Sequence, residues 1–162
     1  QIQFCRNIRS AGLQSVVFES GATPPLISPK MFCEMELPAL KLLMDSAVEI
    51  FGSPQALIIG GNTFPVLHQM LKCNPSYLIC PFETEQNKFI RAMENHPEIM
   101  VRINMNPQAF IGKDEKKAFV EADRVVQIAG DRKNVCIGSG ALAIEANPKI
   151  VLAVKNYLKL QL

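Results

Sequence analysis

"ALIIGGNTFP", residues 56–65, is an apolar run that stops abruptly in two glycines, an asparagine and a threonine. The run reads as a buried strand, and the Gly-Gly-Asn-Thr at its end reads as a rim. Small residues there would admit a ligand, and amide or hydroxyl groups would orient it. Working outward from this stretch, short apolar segments alternate with longer amphipathic ones, a pattern that predicts a parallel α/β architecture. The strands are "QSVVFES" (14–20), "ALIIGG" (56–61), "SYLICP" (76–81), "EIMVRIN" (98–104) and "NVCIGS" (134–139).

The intervening segments carry helix signals. Residues 28–52 form a long predicted helix with Ser28 as N-cap, Pro29 at its first position and Gly52 at its end. Pro38 falls inside it, so a kink or break is expected near Leu37. Further helices are predicted over 64–73, 83–95, 113–130 and 147–160, and one over 1–12 precedes the first strand. In the 83–95 helix, Phe89, Ile90 and Met93 mark the buried face. "GDRKN" (130–134) is a turn that Gly130 opens by ending a helix.

Composition limits what such a chain can do. Its 162 residues are 48% hydrophobic, which suits one domain with a sizeable core. The 17 basic and 15 acidic residues are interspersed and the net charge is +2, so no electrostatic stripe for nucleic acid stands out. Five cysteines, widely scattered and without a CxxC, predict reduced thiols and a cytoplasmic location rather than a disulfide framework. No apolar run approaches the roughly 18 residues of a membrane span, and no signal-peptide pattern opens the chain.

Five strand-helix units in a row suit either a doubly wound sheet or part of an eight-stranded α/β barrel. No GxGxxG follows any strand, so a dinucleotide-binding fold lacks direct support. In either architecture the working residues sit at the carboxyl ends of the strands. Those positions hold Glu19 and Ser20, Gly61 to Thr63, Pro81 to Glu83, Asn104 to Asn106, and Gly138 to Gly140. A carboxylate beside a hydroxyl, as at Glu19 and Ser20, could accept a proton or hold a cationic group, and amides could donate to a carboxylate or a ring nitrogen. Against this, a rim carboxylate can be merely solvated, and Asn62 and Asn104 also suit turns and caps.

Other residues fit structural roles better. His68 and Cys73 are spaced i, i+5, which does not align them for a shared metal. His96 precedes Pro97 at a helix end and suits solvent exposure or the helix dipole. Met31, Met35 and Met44 read as core filler, and Lys116 and Lys117 as a solvated helix face.

Four patches in order resemble the uroporphyrinogen decarboxylase superfamily, which includes the cobalamin-dependent methyltransferases. "VVFESGATPPLISPKMFCEMELPALKLL" resembles that family's strand ending in Asp-Ser, followed by a Ser-Pro-initiated helix with a Leu-Pro. "IIGGNTFPVL" is similar to its strand ending in Gly-Asn-Thr. "VRINMNPQAFI" is similar to its Gly-Asn-x-Asp-Pro segment, and "CIGSGALAIEANPKIVLAVKNYLK" to its closing strand, loop and last helix.

The resemblance implies a TIM-type (β/α)8 barrel, of which residues 1–162 supply only the carboxyl-terminal part, about five βα units in a single partial domain. Five strands cannot close a barrel, so a fragment of a longer chain, or self-association through open barrel edges, is expected.

It also implies two chemistries. Thiol-directed methyltransferases of the family carry a zinc site, with a His-x-Cys before Gly-Asn-Thr and a Cys within the last Gly-x-Gly, because zinc presents a thiolate. The matching positions here are Ile58, Gly60 and Ser139, none of which supplies such a ligand, so no metal is expected. The decarboxylase branch places a His where Ser139 stands. By resemblance, Glu19 and Ser20 are the catalytic candidates. Asn62, Thr63, Asn104, Asn106 and Ser139 are the substrate-binding ones.

Three functions stay open. The first is a corrinoid-dependent methyltransferase component for a non-thiol substrate, with cobalamin carried on a partner corrinoid protein rather than bound directly. The second is a decarboxylase of uroporphyrinogen or a related polycarboxylate, which calls for several arginine contacts, whereas Arg102 lies inside its strand. The third is a non-catalytic binding member.

Overall fold

A computed structural model describes residues 1–160. Its centre is a single sheet of five strands: β1 (Val16–Glu19), β2 (Ala56–Ile59), β3 (Tyr77–Cys80), β4 (Met100–Asn104) and β5 (Val135–Gly138). The strands lie side by side in chain order and every pair is parallel. Helix α1 (Ile2–Ser10) precedes β1, and α7 (Pro148–Lys159) follows β5. The crossovers that parallel neighbours need carry α2 (Pro29–Met31) and α3 (Leu37–Phe51) between β1 and β2, and α4 (Leu67–Leu71) between β2 and β3. They carry α5 (Gln86–Ala92) between β3 and β4, and α6 (Lys116–Ala129) between β4 and β5. The order contains no reversal, so the crevice of a doubly wound sheet, which opens where strand order reverses, does not form.

The expected elements are all present, shortened at their ends, where turn chemistry takes over from periodicity. Ser28 Oγ accepts a hydrogen bond from Met31 N at 3.2 Å, and Gly52 ends α3 at φ 77°. The interruption expected near Leu37 takes the form of a π-helical turn, Phe32–Glu36, in which Leu37 N donates to Phe32 O. Pro38 offers no N–H and its ring crowds the preceding turn. Widening that turn lets the helix continue into α3 instead of stopping.

Side chains alternate across each strand, so the sheet has two distinct faces. Val17, Leu57, Ile59, Leu78, Cys80, Val101 and Ile103 point to one side and are buried. They share one core with Phe32, Leu40, Met44, Phe89, Ile90, Ala122, Val125 and Val154 from the helices. Fully burying such a side chain stabilises the fold by roughly 1.5–3 kcal/mol. The opposite face is largely uncovered: Val16 and Phe18 on β1, Met100 on β4 and Cys136 on β5 are exposed. A smaller cluster of Cys5, Ala47 and Phe51 attaches α1 to α3. No helix among the described residues is long and apolar enough to cross a membrane.

Candidate functional site

At the carboxyl ends of the strands the uncovered face deepens into a cavity of ≈ 280 Å³. Phe18, Ile58, Gly60, Arg102, Asn104 and Ser139 are among its walls. That volume falls just under the roughly 300–1,000 Å³ of small-molecule pockets. The strand register explains the convergence: Phe18 lies beside Ile58, Arg102 beside Cys136, and Asn104 beside Gly138. Ile58 and Gly60 at the end of β2 and Ser139 after β5, far from them in the chain, therefore line one cavity.

The two glycines after β2 serve different ends. A Cβ on Gly60 would meet nothing within 4 Å, so Gly60 keeps cavity space open. A Cβ on Gly61 would lie 2.6 Å from Thr23 Oγ1, and Gly61 sits at φ 78°, where side chains are strained. Thr23 Oγ1 donates to Gly60 O at 3.0 Å, so the loop after β1 is pinned against the end of β2. Gly61, which also lines the cavity, thus admits a neighbouring loop.

Of the sequence-derived candidates, Asn104 and Ser139 line the cavity. Asn104 Oδ1 accepts from Arg102 Nε at 3.0 Å, and its carbonyl accepts from Gln86 Nε2 at 2.8 Å. Ser139 Oγ donates to Gly140 O at 3.2 Å. Asn62, Thr63 and Asn106 are engaged in the surrounding loops instead. Asn62 Oδ1 accepts from Thr84 Oγ1 at 3.1 Å, and that hydroxyl in turn accepts from Phe64 N at 2.8 Å. Thr63 is fully buried, and its hydroxyl has no hydrogen-bond partner among the described residues. Asn106 Oδ1 caps the 3-10 turn Pro107–Phe110 by accepting from Gln108 N at 3.0 Å.

Glu19 is separated from these residues. It lines a groove of ≈ 290 Å³ along the β1 edge with Phe4, Cys5, Glu36 and Leu40, between α1 and α3. Burial, followed by the charge of Glu19, pushes the Glu36 carboxyl above its usual range. Ser20 is exposed and lines neither cavity. Glu19 and Ser20 therefore do not join the amides of the mouth.

Sequence reading missed the polar relay behind the mouth. Gln86 Nε2 donates to both Cys80 O and Asn104 O, tying β3 to β4 at their carboxyl ends. Its Oε1 accepts from Arg124 Nη2 at 2.8 Å, and Arg124 pairs with Glu121 at 2.7 Å. Glu121 also accepts from Asn106 N at 2.6 Å. Burial alone would raise the Glu121 carboxyl, but Arg124 and the Asn106 N–H outweigh it and hold the group below its usual range. Cys80, beside this relay, is a neutral thiol, pushed up by burial to about 12.

Arg102, a charge inside a strand, is a member of the cavity wall that strand-end position does not reveal. Its parity with Met100 and Asn104, opposite Val101 and Ile103, is the signal that sends it to the uncovered face. Among the described residues no group of three or more His, Cys, Asp or Glu side chains converges as a metal-binding set. Compared with known proteins, the chain matches no family model and no curated protein.

Proposed function

We propose that the chain is a member of the uroporphyrinogen decarboxylase superfamily, forming about five βα units of the carboxyl-terminal part of a TIM-type barrel. Its activity is that of a cytoplasmic, corrinoid-dependent methyltransferase component for a non-thiol substrate, working without the family's zinc site. One observation carries this reading. Ser139, linked in the sequence to Ile58 and Gly60 only by the resemblance, lines the same cavity as those two residues at the carboxyl ends of β2 and β5. An aliphatic side chain, a bare backbone and a hydroxyl meet there, so the site suits a substrate with no thiol to ionise. The sequential, unreversed order of parallel strands also supports a barrel over a doubly wound sheet.

The cavity, at ≈ 280 Å³, fits a small organic molecule and is too small for a corrin macrocycle with its side chains. Cobalamin would therefore stay on a partner corrinoid protein placed over the mouth. When bound there, it supplies a cobalt-carried methyl group. This chain's own residues bind and orient the small molecule: Asn104 and Ser139 offer hydrogen bonds, while Phe18, Ile58 and Ile79 exclude water from one side. Among the described residues, the strand edges of β1 and β5 each lack a second neighbour in the sheet. They provide for self-association, or for the remaining strands of a barrel.

A second reading, a decarboxylase of uroporphyrinogen or a related polycarboxylate, is favoured by Arg102, a cation in the cavity wall that a carboxylate would neutralise. The test is methyl transfer by the purified protein with methylcobalamin, followed by the cobalamin absorbance change, with bound metal quantified in the same sample. Demethylation without stoichiometric zinc is the expected result. A cobalamin spectrum unchanged by the protein would overturn the methyltransferase reading. Carbon dioxide release from carboxylated tetrapyrroles would then establish the second, and inactivity in both assays would leave a binding protein.

A further inference from the structure

Three arginines lie against the α/β body, and two of them meet a carboxylate. Arg124 pairs with Glu121 and Gln86, and Arg132 pairs with Glu94 and the Ile90 carbonyl. Arg102 differs. It is half-buried in the cavity wall, its Nε donates to Asn104 Oδ1 at 3.0 Å, and neither terminal nitrogen has a hydrogen-bond or ion-pair partner among the described residues. Removing a guanidinium from water without a counter-charge is unfavourable, and the two free NH2 groups at its end form a fork shaped for a planar anion.

The neighbouring chain makes room for this arrangement. Gly138 on β5 faces the Arg102 stem, and a Cβ there would fall 2.6 Å from Arg102 Cδ and 3.1 Å from Nε. Gly140 does the same for Asn104, whose Nδ2 would lie 3.0 Å from a Cβ. The Gly-Ser-Gly end of β5 thus shapes a slot for the Arg102 and Asn104 pair, with the Ser139 hydroxyl at its lip.

We infer that Arg102, held by Asn104 and given room by Gly138, is a subsite for the carboxylate of a small monocarboxylic acid whose apolar body lies against Ile58 and Ile79. This deepens the reading of the mouth as a small-molecule site by naming a ligand class. One guanidinium balances one carboxylate. A phosphate, with about −1.5 to −2 charges, would be left partly uncompensated. Glu83, which also lines the cavity and forms no ion pair among the described residues, would repel the denser charge more strongly. Phe18, Ile58 and Ile79 offer apolar contact that inorganic phosphate cannot use.

The experiment is a titration of the intact protein with sodium butyrate at constant ionic strength, followed by ¹H–¹⁵N NMR of the arginine Nε–H and asparagine side-chain signals. Butyramide serves as the neutral analogue and inorganic phosphate as the competing anion. Butyrate should shift the Arg102 and Asn104 signals in a saturable way, and butyramide should not. Arg102→Gln should weaken binding about 10-fold or more, the range of a lost charge-assisted contact. Gly138→Ala keeps every charge and moves the guanidinium aside, and it should weaken binding comparably. It decides the matter if Arg102→Gln does not fold. No saturable shift, unchanged affinity in the folded variants, or phosphate binding as tightly as butyrate would overturn the inference. Butyrate binding in a protein inert toward methylcobalamin would sink the methyl-transfer reading alone. Methyl transfer without butyrate binding would sink only the subsite.

Discussion

The two faces of this sheet are made by the same strands and have opposite characters. On the helix-covered face, Leu57, Leu78, Val101 and Ile103 are completely buried and wholly apolar. On the uncovered face, only one residue away along each strand, stand Phe18, Ile58, Arg102, Asn104 and Cys136. The first face is where stability resides, because apolar area removed from water is the main favourable term of folding. The second sets a half-buried cation and a buried amide beside a cavity, and polar groups withdrawn from water in this way are costly to the fold unless they are paired. Parity along the strand assigns each residue to one role or the other.

The strongest way to break that comparison is a matched pair of phenylalanine truncations. Phe89 is 0% exposed and Phe18 is 66% exposed. Phe89→Ala should cost about 3–5 kcal/mol in denaturant-monitored unfolding. Phe18→Ala should stay within about 0.5 kcal/mol, as surface substitutions do. Comparable losses in the two variants would mean that the second face is covered in the folded protein.

A smaller effect separates the relay from the mouth it supports. Arg124→Met removes the partner of a largely buried Glu121 carboxylate and should cost about 1–3 kcal/mol at neutral pH. The Glu121 carboxyl is held below its unfolded value, so its contribution is present above the ordinary carboxylate range and fades as pH falls through the lowered value. In Arg124→Met that contribution is removed, so the deficit relative to the wild-type protein should be largest at neutral pH and should shrink as pH falls through the carboxylate range, leaving a shallower acid limb. A deficit that does not change with pH would show that the pairing with Arg124 does not tune Glu121.

Smaller again is the contrast between adjacent glycines. Gly61→Ala places a Cβ 2.6 Å from Thr23 Oγ1 at a positive φ and should cost about 1–2 kcal/mol. Gly60→Ala enters open space and should leave stability nearly unchanged while narrowing the cavity. The measurement is the shift in melting temperature of the two variants side by side. Equal shifts would place both glycines in the same role.

The last test leaves stability untouched and reads the faces by chemistry. Cys136 is exposed on β5, while Cys80 is fully buried on the other face of β3, with its thiol pushed up to about 12. Cys73 is buried as well and pushed up to about 11. A thiol reagent should modify Cys136 in the folded protein and reach Cys73 and Cys80 only on unfolding. Mass spectrometry of the labelled peptides gives the order directly. Early labelling of Cys80 would show that the helix layer opens readily.

Much of the architecture is legible in the sequence because it depends on local pattern. Apolar runs of strand length, the cap Ser28, and the C-terminal glycine Gly52 mark the elements without reference to their neighbours. The site is legible only in part. Asn104 and Ser139 are recognisable as strand-end residues, and they do reach the cavity. Asn62 and Asn106 occupy equivalent positions yet are consumed by Thr84 and by a capping turn. Glu19 turns into the groove beside Glu36. Strand-end position does not say which way a loop turns next.

By itself, the sequence of this protein determined the alternation of strands and helices, the approximate limits of each, and the parity that separates Val101 and Ile103 from Arg102 and Asn104. These come from periodicity and backbone stereochemistry, which act over a few residues. Only the tertiary structure decided the unreversed order of the strands, the opening of Gly61 for Thr23, and the relay from Glu121 to Asn104. It also decided the meeting of Arg102 with Gly138. Each of these joins residues distant in the chain, and they come into contact only after the helices have packed on one face and left the other open.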